Sequence, residues 1–381
     1  MYFDEGPKTS RAEMFDYSSE WEKLRTSIEG GRRMIIIKGR RRTGKTSLLL
    51  SCLNELEKPY MIIDGRVFAS STQVRREEFV KTLEKALNEF LNREKRLRKK
   101  VLDALKRVQG IEPSVGPGNI GIGLKWGPKQ QDMVNISAIF DALSDEAQKQ
   151  KTKFIIAFDE AQEFRKIMQY DLTSVIAHAY DYCKGLQFII TGSEMGMLYR
   201  FLKVDDSKAP LYGRAMIEIK LEGLNQERSL EYLKKGFRQI KMKVSEDTLQ
   251  DIHERFDGII GWLTFVGFKA REVKKIDEKI LDETTKKSCA IVADEFGNFS
   301  KLYGSDRYVT IMKHLARERK SSWSKIKENL EAKAGVSISN SNVTKLLSTL
   351  EDAGFIAKDD EENYLIPDPM ITEAVKIGVI K

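Results

Sequence analysis

Cysteine and histidine are scarce in this chain, with three of each in 381 residues. Cys52, Cys183 and Cys289 lie far apart, odd in number and without the spacing of a metal site. They point away from a disulfide-stapled secreted module and towards reduced thiols in a cytosolic protein. His178, His253 and His314 form no cluster along the chain, which argues against a zinc centre. No apolar run approaches the ~18 residues that a membrane span needs, and no secretory leader is recognisable, so a cytoplasmic protein is expected. Charge of neither sign dominates. The 65 Lys and Arg against 57 Asp and Glu leave a net +8, which permits nucleic-acid binding without demanding it. What remains is a hydrophobic content of 41%, enough for real cores, and a charged content of 32%, rich in Lys and Glu, of the kind found on ion-paired thermophile surfaces. The length predicts two or three domains.

The most informative stretch is Gly39-Arg40-Arg41-Arg42-Thr43-Gly44-Lys45-Thr46-Ser47, which matches G-x-x-x-x-G-K-[ST]. An apolar, β-branched run (Met34, Ile35, Ile36, Ile37) precedes it and a Leu-rich helical run follows. The motif therefore lies between a strand end and a helix start, where exposed N–H groups and the helix N-terminus attract phosphate oxygens. Gly39 and Gly44 allow the backbone to bend around the phosphates. Lys45 is expected on the β- and γ-phosphates, and Thr46 on Mg²⁺.

Phe154-Ile155-Ile156-Ala157-Phe158-Asp159-Glu160 is an apolar strand ending in two carboxylates. Asp159 is expected in the Mg²⁺ shell, and Glu160 is expected to polarise a water for in-line attack. A third strand over residues 186–193 ends in hydroxyls, so Ser193 or Thr191 is expected to sense the γ-phosphate or orient the water. The ordinary alternative is a strand-end serine that caps the next helix. Arg214 follows in Ala209-Pro210-Leu211-Tyr212-Gly213-Arg214. Two readings of it stay open: a cation for the transition state, supplied in cis or by a neighbouring subunit, or a surface ion pair.

These elements, in this order, resemble the archaeal ATPases of the STAND class, relatives of the AAA+ ATPases. The phrases GRRRTGKTSLL, FIIAFDEAQEF, FIITGSEMGML and APLYGRA look like that family's motifs, as do GIIGWLTFVG and the segment from Ser305. The resemblance covers most of the chain. It implies an α/β P-loop core, a helical lid and a winged helix, with ATP as the nucleotide and a switch driven by hydrolysis. The sequence departs from the family at Tyr17, where an arginine is usual, and at Asp257-Gly258-Ile259-Ile260-Gly261, which has no proline.

Along the chain we expect a P-loop ATPase core over residues 1–224, a helical lid over 225–304 and a winged helix-turn-helix over 305–381. The core opens with a polar arm and a first helix. It carries an insertion at about 73–130, made of a basic helical region (75–107) and a Gly/Pro-rich hairpin or loop. In the C-terminal part, residues 339–350 read as the third helix of the winged fold. Its Asn340, Ser341, Asn342, Thr344 and Lys345 are suited to phosphates or base edges. From 301 to 358 there are 11 Lys and Arg against 6 Asp and Glu, but the expected wing tip, 359–362, is wholly acidic. The leading expectation is a Mg-dependent ATP hydrolase whose turnover drives a conformational switch. The alternative is a nucleotide-gated DNA-binding regulator with negligible turnover, bound to duplex DNA through the winged helix and the basic helical region. A protein partner or self-association is compatible with both. A small-molecule kinase fits less well, because Glu160 favours water as the acceptor.

Overall fold

The computed structural model describes residues 1–116, 119–125, 134–193 and 195–381. Helix α1 (Ser18–Glu29) leads to β1 (Met34–Gly39), α2 (Lys45–Glu55) and β2 (Tyr60–Asp64). Then come α3 (Arg76–Arg93), α4 (Arg98–Leu105), the strands β3 (Ile111–Gly116) and β4 (Asn119–Leu124), and α5 (Ile136–Lys149). The core closes with β5 (Phe154–Asp159), α6 (Leu172–Tyr182), β6 (Leu186–Gly192), α7 (Met195–Leu202) and β7 (Ile217–Leu221).

Five strands form a parallel sheet in the order β2-β5-β6-β1-β7. Every residue of β5 and β6 is buried, as their unbroken apolar runs require of strands covered on both faces. Alternate residues divide between the two faces. Ile35, Ile37, Ile155 and Ile189 face α1 and α2 in one core cluster, while Met34, Ile36, Phe154, Phe158 and Phe188 face α3, α5 and α6 in the other.

The basic helical region is two helices, interrupted at residues 94–97. Phe79, Leu83, Leu87 and Phe90 of α3 recur at helical spacing and are buried against the sheet. Its lysines face outward; Lys81 and Lys85 pair with Glu77 and Glu89 on the same helix. The Gly/Pro-rich stretch does contain a hairpin, with β3 antiparallel to β4 and Ile111 opposite Leu124. Its expected remainder at 117–118 and 126–130 lies outside the described residues.

Four helices follow: α8 (Gln226–Gln239), α9 (Glu246–Phe256), α10 (Ile260–Val273) and the long α11 (Glu278–Tyr303). The N-terminal arm, expected to be polar, is a plug instead. Phe3 is fully buried over Gly236 of α8 and Gly267 of α10, where a Cβ would come within 2.2 and 2.3 Å of its ring. Burial of such a ring contributes about 1.5–3 kcal/mol. Only a side-chain-free position on each helix leaves room for it.

The winged helix comprises α12 (Arg307–Glu318), β8 (Lys320–Ser321), α13 (Trp323–Ala334), α14 (Asn340–Asp352), β9 (Ala357–Lys358) and β10 (Tyr364–Leu365). The wing is three-stranded, because β8 joins β10 beside the expected hairpin. The last helix, α15 (Pro369–Lys376), was not legible as a separate element; it buries Met370, Ile371, Ala374 and Val375. The core cluster on the α1–α2 face of the sheet continues through α8–α11 into α12–α15 without a break. No helix among the described residues is long and apolar enough to cross a membrane. Cys52, Cys183 and Cys289 are buried, unpaired thiols.

Candidate active site

β1, β5 and β6 are neighbours, so the segments that follow them converge at one edge of the sheet. Such C-terminal strand edges are where open α/β sheets bind ligands. Gly44 adopts φ +90°, a left-handed conformation that costs a glycine little, and α2 starts at the next residue. Lys45 is 4% exposed. Its Nζ donates to the carbonyls of Arg40 (2.9 Å) and Gly39 (3.2 Å) and stands 3.7 Å from Glu160 Oε1. Thr43 is buried, with its hydroxyl on the Arg40 carbonyl at 2.9 Å. Ser47 Oγ accepts from the Lys8 N–H at 3.0 Å, so the N-terminal arm also touches the loop.

Thr46 Oγ1 donates to Asp159 Oδ2 at 3.1 Å across the gap between α2 and β5. The hydroxyl and carboxylate together form a hard-oxygen pair that suits Mg²⁺ rather than a soft metal. Thr191 of β6 also hydrogen-bonds Asp159, and its hydroxyl accepts the Glu160 N–H at 3.0 Å. Glu160 itself lies in the left-handed region at φ 49°, a sparsely populated conformation for a side chain of this size. Its Oε2 accepts from the Ser193 hydroxyl and N–H (2.5 and 3.0 Å) and from Gln162 Nε2 (2.7 Å).

The electrostatics follow from burial. Desolvation pulls Lys45 below the ordinary lysine value, partly offset by Glu160 and Asp159. It pushes Asp159 above the usual carboxylate range, opposed by the Thr191 hydrogen bond. Burial would also raise Glu160, but Lys45, Gln162 and Ser193 outweigh it and hold Glu160 below the usual glutamate range. An arriving anion would relieve Lys45, and an arriving cation would relieve Asp159.

The three loop arginines reach towards the C-terminal half of the chain, and Arg41, Arg42 and Glu295 line the same cavity as Lys45 and Glu160. Arg40 donates to the Pro367 carbonyl at 3.1 Å. Arg41 and Arg42 both pair with Glu295 of α11, at 2.9 and 2.5 Å. Arg42 lies 4.0 Å over the Trp262 ring, and Arg41 lies 5.5 Å over Phe355, which follows α14. The Trp262 indole N–H donates to the buried Asp368 at 3.2 Å. The Gly261 N–H donates to the Arg42 carbonyl at 2.9 Å, so the proline-free phrase that runs into the first turn of α10 grips the loop directly. Burial pushes Glu295 up, yet the two arginines hold it below the usual glutamate range.

A cavity of about 690 Å³ opens from the loop, lined among others by Lys45, Glu160, Ser193, Trp262, Phe265 and the arm around Phe15. Its size suits a nucleotide. Arg66 also lines it and was not anticipated, although Asp64-Gly65-Arg66 directly after a core strand was a readable sign. Tyr17, where an arginine was expected, lines it too and donates to the Glu222 carbonyl at 2.6 Å.

Arg214 does not join these residues. It precedes β7, whose Ile217 pairs with Ile35 near the start of β1, so it lies at the opposite end of the strands from the loop. It pairs with Asp181 and packs on the Tyr180 ring. A cis role at this site is therefore set aside, and of the two readings left open the ion pair is what this chain shows. One histidine and one cysteine do meet in the fold, beside a carboxylate. Asp141 Oδ1 on α5 meets His178 Nε2 at 3.1 Å and Cys183 Sγ at 3.2 Å, a convergence of two helices that spacing along the chain hides. Burial first, and then the Asp141 hydrogen bond, push the Cys183 thiol up to about 12, so at neutral pH it is a protonated donor to Asp141.

Comparison with solved structures gives a likeness to the Walker-type ATPase PABY2304 of Pyrococcus abyssi, with TM-score 0.80 and 30% identity over 99% of this chain and 100% of that one. The ORC2 protein of Aeropyrum pernix, in its ADPNP–ADP complexes, shares the fold at TM-score 0.56 and 13% identity, over 100% of this chain and 97% of that one. Comparison with curated proteins gives no match. Residues 303–366 match the C-terminal winged helix-turn-helix domain of MCM proteins. Residues 14–266 match the ATPase domain found predominantly in Archaea, and the chain belongs to that family.

Proposed function

We propose that this protein is a Mg-dependent ATP hydrolase of the STAND type, in which turnover drives a conformational switch. The observation that carries the reading is the convergence of Lys45, Thr46, Asp159, Glu160 and Ser193 at one edge of the sheet. In this reading the amides of residues 39–47 and the Lys45 ammonium hold the triphosphate. Thr46 and Asp159 would hold Mg²⁺, which when bound neutralises charge on the phosphate oxygens. Glu160, kept ionised by its neighbours, accepts a proton from the attacking water, and Ser193 orients the carboxylate. Glu160→Gln should lower turnover at least about a hundredfold while nucleotide binding persists. Turnover at the parent rate would defeat the hydrolytic assignment.

The switch is supported by the loop arginines. Glu295 and the triphosphate are rival anions for Arg41 and Arg42, so nucleotide binding at the loop competes with its hold on α11. We divide the chain accordingly into a core (1–224), a lid (225–304) and a winged helix (305–381).

One observation favours the second reading, a nucleotide-gated regulator bound to duplex DNA. Asn340, Ser341, Asn342, Thr344 and Lys345 are exposed on α14. The wing tip weighs against it, because Asp359 and Glu361 there already hold Lys320. Duplex binding that weakens steeply with salt would support this reading, since phosphate contacts release counterions. No binding at low salt, with or without ATP, would remove it.

A further inference from the structure

Arg66 stands two residues beyond the end of β2, in a short 3-10 turn over Gly65–Phe68. β2 is hydrogen-bonded to β5, and Asp64 is the register partner of Asp159. The turn therefore delivers Arg66 to the carboxylate side of the cavity, which it lines together with Lys45, Thr46, Glu160 and Ser193. Asp64 grips the guanidinium bidentately, through Nε at 2.9 Å to Oδ1 and Nη2 at 2.9 Å to Oδ2. It also accepts the Arg66 N–H at 2.9 Å. The same Nη2 lies 3.4 Å from Asp159 Oδ2, the oxygen that Thr46 also contacts. The side chain is nonetheless half-exposed, at 52%.

We propose that Arg66 is the in-chain arginine that contacts the γ-phosphate and stabilises its charge in the transition state. This rests on the ATPase reading above. The other cations reach the cavity from the loop itself: Lys45 is assigned to the β- and γ-phosphates, and Arg41 and Arg42 stand on the Glu295 side, whereas Arg66 comes from the β2 side and touches Asp159. Arg214 is at the far end of the strands. Arg66 lies beside the two acids assigned to the metal and the water, which is where the γ-phosphate must be for attack. Its pairing with Asp159 is a resting arrangement. A divalent cation on Asp159 would cancel that attraction, while Asp64 keeps hold of the Nε and Nη2 edge of the guanidinium beside the cavity that Arg66 lines. In the reaction the water oxygen bonds to the γ-phosphorus and its proton passes to Glu160. The bond to the β–γ bridging oxygen breaks, and its electron pair leaves with ADP. Arg66 supplies charge to the equatorial oxygens and exchanges no proton.

The test uses Arg66→Ala and Arg66→Lys in the full chain. Affinities for ADP and for a non-hydrolysable ATP analogue are measured calorimetrically with Mg²⁺ present, and ATP turnover is measured with Mg²⁺ over a range of protein concentrations. We expect Arg66→Ala to keep the ADP affinity within about threefold, to lose about tenfold in the ATP-over-ADP preference, and to lose about 10³-fold in kcat. Arg66→Lys should recover part of the preference and little of kcat, because a point charge lacks the planar fork. Parent-like preference and kcat in Arg66→Ala would overturn the proposal. So would a parent specific activity that rises steeply with protein concentration, since a neighbour's arginine would then do the work. A parent that binds ATP but never turns it over defeats hydrolysis instead, and the ATP-over-ADP preference still decides for or against Arg66.

Discussion

The phosphate loop has two sides, and they are built differently. Its inner side, Lys45 and Thr46, meets Asp159 and Glu160 on the end of β5, in the same sheet. Its outer side, Arg40, Arg41 and Arg42, meets Pro367 and Glu295, which lie 327 and 254 positions further along the chain from Arg40 and Arg41. The inner contacts are fixed by strand order within a rigid parallel sheet. The outer ones depend on where α10, α11 and the segment before α15 come to rest. One short loop thus carries groups suited to chemistry on one side and groups suited to reporting it on the other. The αL residues Arg42 (φ 64°) and Gly44 (φ 90°) mark the turn between the two sides.

Mutations on each side sharpen this contrast. Lys45→Ala should have the largest effect. Nucleotide affinity measured by calorimetry should fall at least about a hundredfold, because a charge-assisted contact to phosphate is lost. Hydrogen exchange in α11 and α14 should stay as in the nucleotide-free parent, and loosening there would merge the two sides into one. Glu295→Gln should do the reverse. Loss of the shared, partly buried charge should weaken the hold on the loop by about 1–2 kcal/mol, below the cost of breaking a fully buried pair. Faster exchange around α11 and α15 is expected, with nucleotide affinity raised several-fold as Arg41 and Arg42 become available to phosphate. Unchanged exchange would mean that Glu295 does not tie α11 to the loop.

The smallest effect concerns pH. Burial pulls His314 in α12 below its ordinary 6.5, with Glu318 raising it and Arg317 and Lys325 lowering it further; Ser321 pairs with its Nε2 at 2.9 Å. A histidine that resists protonation when folded but accepts it when unfolded adds stability above pH 6.5 that is lost progressively below it. Winged-helix exchange should therefore quicken as pH falls from 7 to 5, and His314→Gln should flatten that dependence while the inner side keeps its own pH response.

The inner side was readable in advance because each of its residues belongs to a local pattern. The loop string demands a strand before it and a helix after it, and Asp159 with Glu160 ends an apolar run that can only be a buried strand. Arg66 was less visible, because its partners Asp64 and Asp159 meet only once β2 and β5 pair. Phe3 seemed part of a polar arm, since nothing nearby in the chain shows that Gly236 and Gly267 make its slot. Arg214 was open to a catalytic reading until the parallel pairing of β7 with β1 placed the segment before β7 at the end of the strands away from the loop.

The sequence by itself determined the fold class, the phosphate loop, the two carboxylates and the winged helix. Each of these rests on short-range periodicity, turn chemistry or motif spacing, which act within a few residues. Only the tertiary structure decided that the loop arginines clasp Glu295, that Arg66 borders the carboxylates, that Arg214 points elsewhere and that Asp141, His178 and Cys183 meet. Those contacts join residues far apart in the chain, and their partners are selected by which buried surfaces pack together, a property of the folded whole that no local stretch encodes.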